Sequence, residues 1–289
     1  MILSDFILFS RQNKILIESG IDSRQYCKDQ KYFDTHPHTV EYRYNSRGFR
    51  DNEWPDSIEE LKNCIWCFGD SFTVGLGSPI EHTWVNILQQ KTGIRCINVS
   101  MDGASNAWIA RKINRVSDEI NPRLIIVQWS YLHRTENKNI SLSDEDRRIA
   151  YSDNISINYQ FDNFKNLQGS INNKSAQIVE SIIPNALPIY HHNQYKEKIN
   201  ILKGTDWPEL IDITLDGFTA IDKSIKKELK NFGILTSIIE YLKYKHLIDT
   251  VDCIFVEQID FARDGHHYDY LTAGKFVDSI MERISTFSS

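Results

Sequence analysis

The sequence predicts an α/β fold built on a parallel sheet, doubly wound with helices on both faces. Three observations predict it. The segments CIWCF, CINVS and LIIVQWS are mainly continuous apolar runs rather than alternating ones, as strands covered on both faces require. The stretches between them, PIEHTWVNILQQKTG and NAWIARKINRVSDEINP, have apolar residues at helical spacing. Strand, helix, strand, helix, strand in that order is the βαβαβ pattern of a parallel sheet.

In chain order, residues 1–60 form an N-terminal extension packed on the core. It holds an alternating segment, TVEYRYN, that reads as a strand, and Asn45-Ser46-Arg47-Gly48 reads as the turn after it. Residues 61–289 form the α/β domain. Its first helix stops at Gly93 and its second at Asn121-Pro122. An insertion is expected over about 135–250, because residues 135–180 are rich in Asn, Ser, Asp and Gln. Within and after it, segments near 194–202 and 219–247 look helical. IIPNALPIYHH and VDCIFVEQI are candidates for one strand each, and FVDSIMERI makes a terminal amphipathic helix.

The 289 residues hold 33 Lys and Arg against 39 Asp and Glu, a formal charge of −6. Without clustered cations there is no electrostatic footprint for nucleic acid or an anionic membrane. The longest apolar runs, such as Leu124 to Val127, fall far short of the roughly 20 residues of a membrane span. The apolar start contains Asp5, has no basic stretch before it and no small-residue cleavage site, so no signal peptide is expected. Five scattered cysteines, an odd number, suit reduced thiols, and a cytoplasmic location is expected. Cys64-x-x-Cys67 lies inside an apolar strand, where residues three apart face opposite ways, so packed thiols are expected rather than a zinc or redox motif.

Gly69-Asp70-Ser71 follows the first parallel strand. Ligands of open α/β sheets bind beyond the carboxyl ends of strands, and a serine opening the next helix sits beside unpaired backbone N–H groups. Such a site suits a nucleophile whose attack produces an oxyanion. Helix capping by Asp70 or Ser71 explains the tripeptide equally well. Near the other end, Asp264-x-x-His267 precedes the last helix. In a tight turn the carboxylate can hold one ring nitrogen while the other accepts a proton from a hydroxyl.

Taken together, Gly69-Asp70-Ser71, the glycine of Asn98-Val99-Ser100-Met101-Asp102-Gly103 and Asp264-x-x-His267 resemble the SGNH (GDSL) hydrolases. The resemblance covers residues 64–132 and 253–285. It implies a flavodoxin-like three-layer αβα sandwich and a serine ester hydrolase, with Ser71 as nucleophile, His267 as general base and Asp264 as its partner. The backbone N–H groups of Ser71 and Gly103 would form the oxyanion hole. The family's Gly-x-Asn-Asp block is missing: Val127-Gln128-Trp129-Ser130-Tyr131 stands there, so either activity is low or another group supplies the third oxyanion donor. Ser130 is the first candidate and Asn106 the second. Asp70 and Arg134 are candidate substrate contacts, although Arg134 also fits an exposed loop arginine.

Asn45-Ser-Arg-Gly48-Phe49-Arg50 is similar to an upstream segment of longer members, and either supplies Arg47 or Arg50 to a substrate or forms a turn. His36-x-His38 and His191-His192, with Asp260 and Asp269, assemble into a metal site only on paper, so no metal is expected. Gly75-Leu-Gly77 meets Ile80 where a dinucleotide fingerprint needs glycine, so no cofactor is expected. The expected partner is a small-molecule or glycan ester, acetyl by family analogy. The competing expectation is a weak or inactive relative that binds a glycan or protein in the same cleft; a metal-dependent hydrolase, sensitive to chelators, is a third.

Overall fold

A computed structural model describes residues 2–27, 29–132, 134–136, 150–151, 157–172, 176–183 and 251–286. The elements are β1 (Ile15–Leu16), α1 (Gln30–Thr35), β2 (Tyr42–Arg43), α2 (Ile58–Lys62), β3 (Ile65–Gly69), α3 (Ser71–Val74), α4 (Trp84–Thr92), β4 (Cys96–Ser100) and α5 (Asn106–Glu119). They continue with β5 (Leu124–Trp129), β6 (Arg134–Thr135), β7 (Ala150–Tyr151), α6 (Ile157–Asn172), β8 (Gln177–Ile182), β9 (Ile254–Phe255) and α7 (Tyr270–Thr286). A five-stranded sheet runs β4-β3-β5-β8-β9 with every pairing parallel. The helices α5 and α6 pack on each other, as do α4 and α7, and each pair also contacts the sheet. This is the α/β architecture that the apolar runs predict.

The strands form where continuous burial demands them: every residue of β3 and β4 is buried. Helix ends follow their capping residues. The side chains of Thr83 and Ser105 accept backbone N–H bonds that start α4 and α5, and Gly93 ends α4 at φ +68°. Cys64 and Cys67 are free, and burial pushes the Cys64 thiol up to about 11 and the Cys67 thiol well above its ordinary value, so both stay protonated and inert.

Two expectations need correction. The stretch 135–180 is not all insertion, since α6 and most of β8 lie in it. Strand β8 pairs with β5 over six residues, from Leu124 with Gln177 to Trp129 with Ile182. The polar look of QIVESI misleads because its polar atoms have partners: Glu180 accepts from Trp129 Nε1 at 2.7 Å and Gln168 Nε2 at 2.6 Å, and Ser181 donates to the Val127 carbonyl. The strand expected in TVEYRYN shrinks to Tyr42–Arg43, paired antiparallel with β1. Most of IIPNALPIYHH and both helical stretches at 194–202 and 219–247 lie outside the described residues.

The extension shares the main core: Leu3, Phe6, Leu8, Phe49 and Trp54 pack in one apolar cluster with the sheet. Among the described residues no helix is long and apolar enough to cross a membrane.

Candidate active site

Three segments meet at the carboxyl end of β3. The chain leaves β3 at Gly69, where an added Cβ would lie 2.0 Å from Thr73 Oγ1, so only glycine lets α3 sit this close to the strand. Asp70 caps α3, its Oδ1 accepting the Phe72 N–H at 3.0 Å. Ser71 is therefore the first helical residue, and among the described residues its backbone N–H has no acceptor. On the neighbouring strand β4, which pairs Ser100 with Gly69, the chain turns through Gly103 at φ +73°, and its N–H also lacks an acceptor among the described residues.

The third segment is a tight turn before α7. Asp264 Oδ1 accepts the N–H groups of His266 at 2.8 Å and His267 at 2.9 Å, Gly265 takes φ +66°, and the Ala262 N–H closes the turn on the His267 carbonyl. That leaves Asp264 Oδ2 for the imidazole: His267 Nδ1 lies 2.5 Å from it, and His267 Nε2 lies 2.8 Å from Ser71 Oγ. Ser71, Asp264 and His267 are all buried, at 1–3% exposure. The Phe72 ring meets the His267 ring edge-on at 4.5 Å and fixes its tilt. His266 points elsewhere, its Nε2 within 3.2 Å of Tyr131 Oη.

Burial alone would lower the His267 pKa and raise that of Asp264. The opposed charges and their shared hydrogen bond win on both sides. His267 is raised, with Asp70 and Asp102 adding to the negative field, and Asp264 is lowered, helped by the two backbone N–H bonds.

The candidate third donors are committed elsewhere. Ser130 is buried and donates its hydroxyl to Asp70 Oδ2 at 2.6 Å, so its proton faces a carboxylate instead of an oxyanion. Asn106 spends both ends of its amide on the Ser130 backbone, accepting from its N–H at 2.7 Å and donating to its carbonyl at 3.1 Å. Arg134 is neither an exposed loop residue nor free for substrate: its Nη1 lies 2.6 Å from Asp70 Oδ2, with its side chain 13% exposed. Asp70, wholly buried and holding bonds from Phe72, Ser130 and Arg134, supports the turn instead of facing a ligand.

Arg47 and Arg50 are also structural. Arg47 donates to the carbonyls of Ile2 and Leu3, and Arg50 to those of Glu41, Val74, Gly75 and Ser78. Asp260, once grouped with possible metal ligands, caps α7 through the N–H groups of Leu271 and Thr272.

Sequence reasoning missed a buried polar brace behind the site. Trp84 Nε1 donates to Thr73 Oγ1, Thr73 donates to Gln128 Oε1, and the Gln128 amide is bonded to Tyr268 Oη at 3.0–3.1 Å. It ties α3, β5 and the His267 turn together. Gln128 inside an otherwise apolar strand was the available signal.

The sequence matches no family model and no curated protein. Among solved structures the similarities are of low level. The chain is similar to GDSL and SGNH lipases and esterases. One is TesA, at 14% identity and TM-score 0.38 over 76% of this chain and 96% of that one. A second is a lipolytic G-D-S-L family protein of Veillonella parvula, at 16% identity and TM-score 0.35 over 75% and 96%. A third is AlinE4, an SGNH-hydrolase family esterase, at 18% identity and TM-score 0.30 over 62% and 98%. Likeness at this level leaves the chemistry to be read from the chain's own residues.

Proposed function

We propose that the protein is a serine ester hydrolase acting through Ser71, His267 and Asp264. The observation that carries the proposal is the buried chain of contacts from Ser71 Oγ to His267 Nε2 at 2.8 Å and from His267 Nδ1 to Asp264 at 2.5 Å. A neutral His267 accepts the Ser71 proton as Oγ attacks the acyl carbonyl, and the imidazolium then protonates the leaving alcohol. Water, deprotonated by the same nitrogen, attacks the acyl-enzyme and releases the acid and Ser71. Asp264 holds the tautomer and the charge. The N–H groups of Ser71 and Gly103 receive the oxyanion.

With Ser130 and Asn106 otherwise bonded, this hole has two donors rather than three among the described residues. One missing donor is worth on the order of 10²- to 10³-fold in rate, so turnover is expected to be slow. A small acyl group, acetyl on a carbohydrate by family analogy, is the substrate class proposed. The commitment of both spare donors equally supports a second reading, a weak or inactive relative binding a glycan or protein partner in this cleft.

Labelling with a fluorophosphonate probe and locating the adduct by peptide mass spectrometry separates the two. The hydrolase reading expects an adduct on Ser71, its absence in Ser71→Ala, and loss of esterase turnover in that variant by on the order of 10⁴- to 10⁶-fold. Folded protein that neither labels nor hydrolyses aryl acetates would overturn it.

A further inference from the structure

A second cluster of chemistry-bearing side chains stands apart from Ser71. His36 and His38, from the loop between α1 and β2, meet His82, from the turn before α4, and Asp269, the residue before α7. One donor atom each of His38, His82 and Asp269 lies within 4.8 Å of the other two. His82 Nδ1 is 2.9 Å from Asp269 Oδ1, and His36 Nε2 is 3.7 Å from Asp269 Oδ2. The His38 ring meets the His36 ring at 5.5 Å and the His82 ring at 4.6 Å, edge to face in both cases.

The protons show what this arrangement lacks. His36 Nδ1 accepts the His38 N–H at 3.4 Å, which places the His36 proton on Nε2, facing Asp269. His36 is thereby an outer partner, orienting the carboxylate. Among the described residues the side-chain nitrogens of His38 and the Nε2 of His82 have no hydrogen-bond partner. Asp269 faces the His82 and His36 rings, and a donor atom of His38 lies within 4.8 Å of it and of His82.

We infer that His38, His82 and Asp269 bind a divalent transition ion of the Zn²⁺ class, with water completing the set. Two imidazoles and a carboxylate suit such an ion better than Ca²⁺ or Mg²⁺, which take oxygen ligands. Donors about 3.3 Å apart are needed around a tetrahedral ion with bonds of roughly 2.0–2.1 Å. The set therefore closes by about 1.5 Å at its widest, within the reach of the exposed His38 side chain. His36 on the second Asp269 oxygen is the outer-partner arrangement that fixes a ligating carboxylate. The ion would fasten the N-terminal extension to the segment that carries His267, two residues before Asp269. The site stands whether or not Ser71 is a nucleophile.

The test is calorimetric titration of the metal-stripped full chain with Zn²⁺, together with Co²⁺ absorption and thermal unfolding. Expected are one Zn²⁺ per chain, visible Co²⁺ bands of a four-coordinate site, and a raised Tm. The His38→Ala/His82→Ala double variant loses all three. His36→Ala weakens binding by about 10- to 100-fold with the stoichiometry kept. Folding of the double variant is checked by circular dichroism, and His38→Ala alone, an exposed position, serves if it does not fold. No stoichiometric binding, or binding indifferent to these substitutions, would overturn the inference.

Discussion

At the scale of single residues, His267 and Asp264 set opposite pH demands. The proposed catalysis needs His267 neutral, and although burial lowers its pKa, the charge and hydrogen bond of Asp264 with the fields of Asp70 and Asp102 raise it above the ordinary value near 6.5. The value of kcat/KM should therefore rise with pH through a limb on the alkaline side of ordinary histidine. Stability runs the other way. A raised His267 pKa stabilises the fold below the ordinary histidine pKa, and that contribution disappears as pH climbs through the raised value. The lowered Asp264 pKa stabilises above the ordinary carboxylate range and is lost as pH falls through the lowered value. In Asp264→Asn the charge and hydrogen bond that oppose burial most strongly are gone, leaving the weaker fields of Asp70 and Asp102. The acid limb of kcat/KM is expected to move to lower pH while kcat falls on the order of 10⁴-fold. A pH–rate series on an aryl acetate, with wild type and variant side by side, checks both, and a limb that does not move refutes the assignment. The Asp264-x-x-His267 spacing was legible in the sequence because the turn is local. The duties of Ser130, Asn106 and Arg134 were not, since Asp70 and Arg134 are 64 residues apart in the chain.

Among the elements, the junction of β3 and α3 governs where Ser71 stands. Thr73 Oγ1 occupies the space a Gly69 side chain would take, and it is bonded to both Trp84 and Gln128. Being β-branched and doubly held, Thr73 has no alternative rotamer to retreat to. Gly69→Ala is expected to push α3 off the strand, costing about 1–3 kcal/mol in stability and about 10²-fold in acylation rate through misplacement of Ser71. Gly274→Ala adds the same methyl within α7, with nothing within 4 Å of it, and should stabilise by about 0.5–1 kcal/mol. Urea unfolding of both variants and the labelling rate of the first decide the matter; equal effects of the two would show that crowding at Gly69 is not the cause. Continuous apolar strands made β3, β4 and β5 readable, because burial on both faces is a property of composition. Strand β8 escaped because Glu180 and Ser181 are satisfied by side-chain and backbone partners that only the folded sheet supplies.

For the whole molecule, the N-terminal extension builds the ground on which the two halves of the site meet. The loop after α3 and the turn of Asp264 touch directly: the Arg263 N–H donates to the Gly77 carbonyl at 2.9 Å, and a Cβ at Gly77 would meet Ala262 at 2.8 Å. The extension holds both sides of this contact. Tyr42 Oη accepts the Gly77 N–H at 2.7 Å and donates to Asp22, and Asp22 binds Arg263 through both carboxylate oxygens. Arg50, 2% exposed, gathers four backbone carbonyls, two of them from this loop and one from the last residue of α3, and stacks on Tyr42 at 4.4 Å. No local pattern announces such contacts, for Asp22 and Arg263 are 241 residues apart; the segment around Arg50 suggested a turn or a substrate contact, and the arginine serves backbone instead. Arg50→Met keeps the apolar stem but leaves those buried carbonyls without a donor, which should cost at least ~3 kcal/mol. Arg50→Lys, with one ammonium that cannot span all four acceptors, should recover only part of it. Because the loop seats the Asp264 turn, fluorophosphonate labelling of Ser71 should slow in the same order, wild type fastest and Arg50→Met slowest, under conditions where all three are folded. Labelling rates that stay equal while stability falls would confine Arg50 to holding the extension, and would show that the contact at Gly77 keeps His267 in place without it.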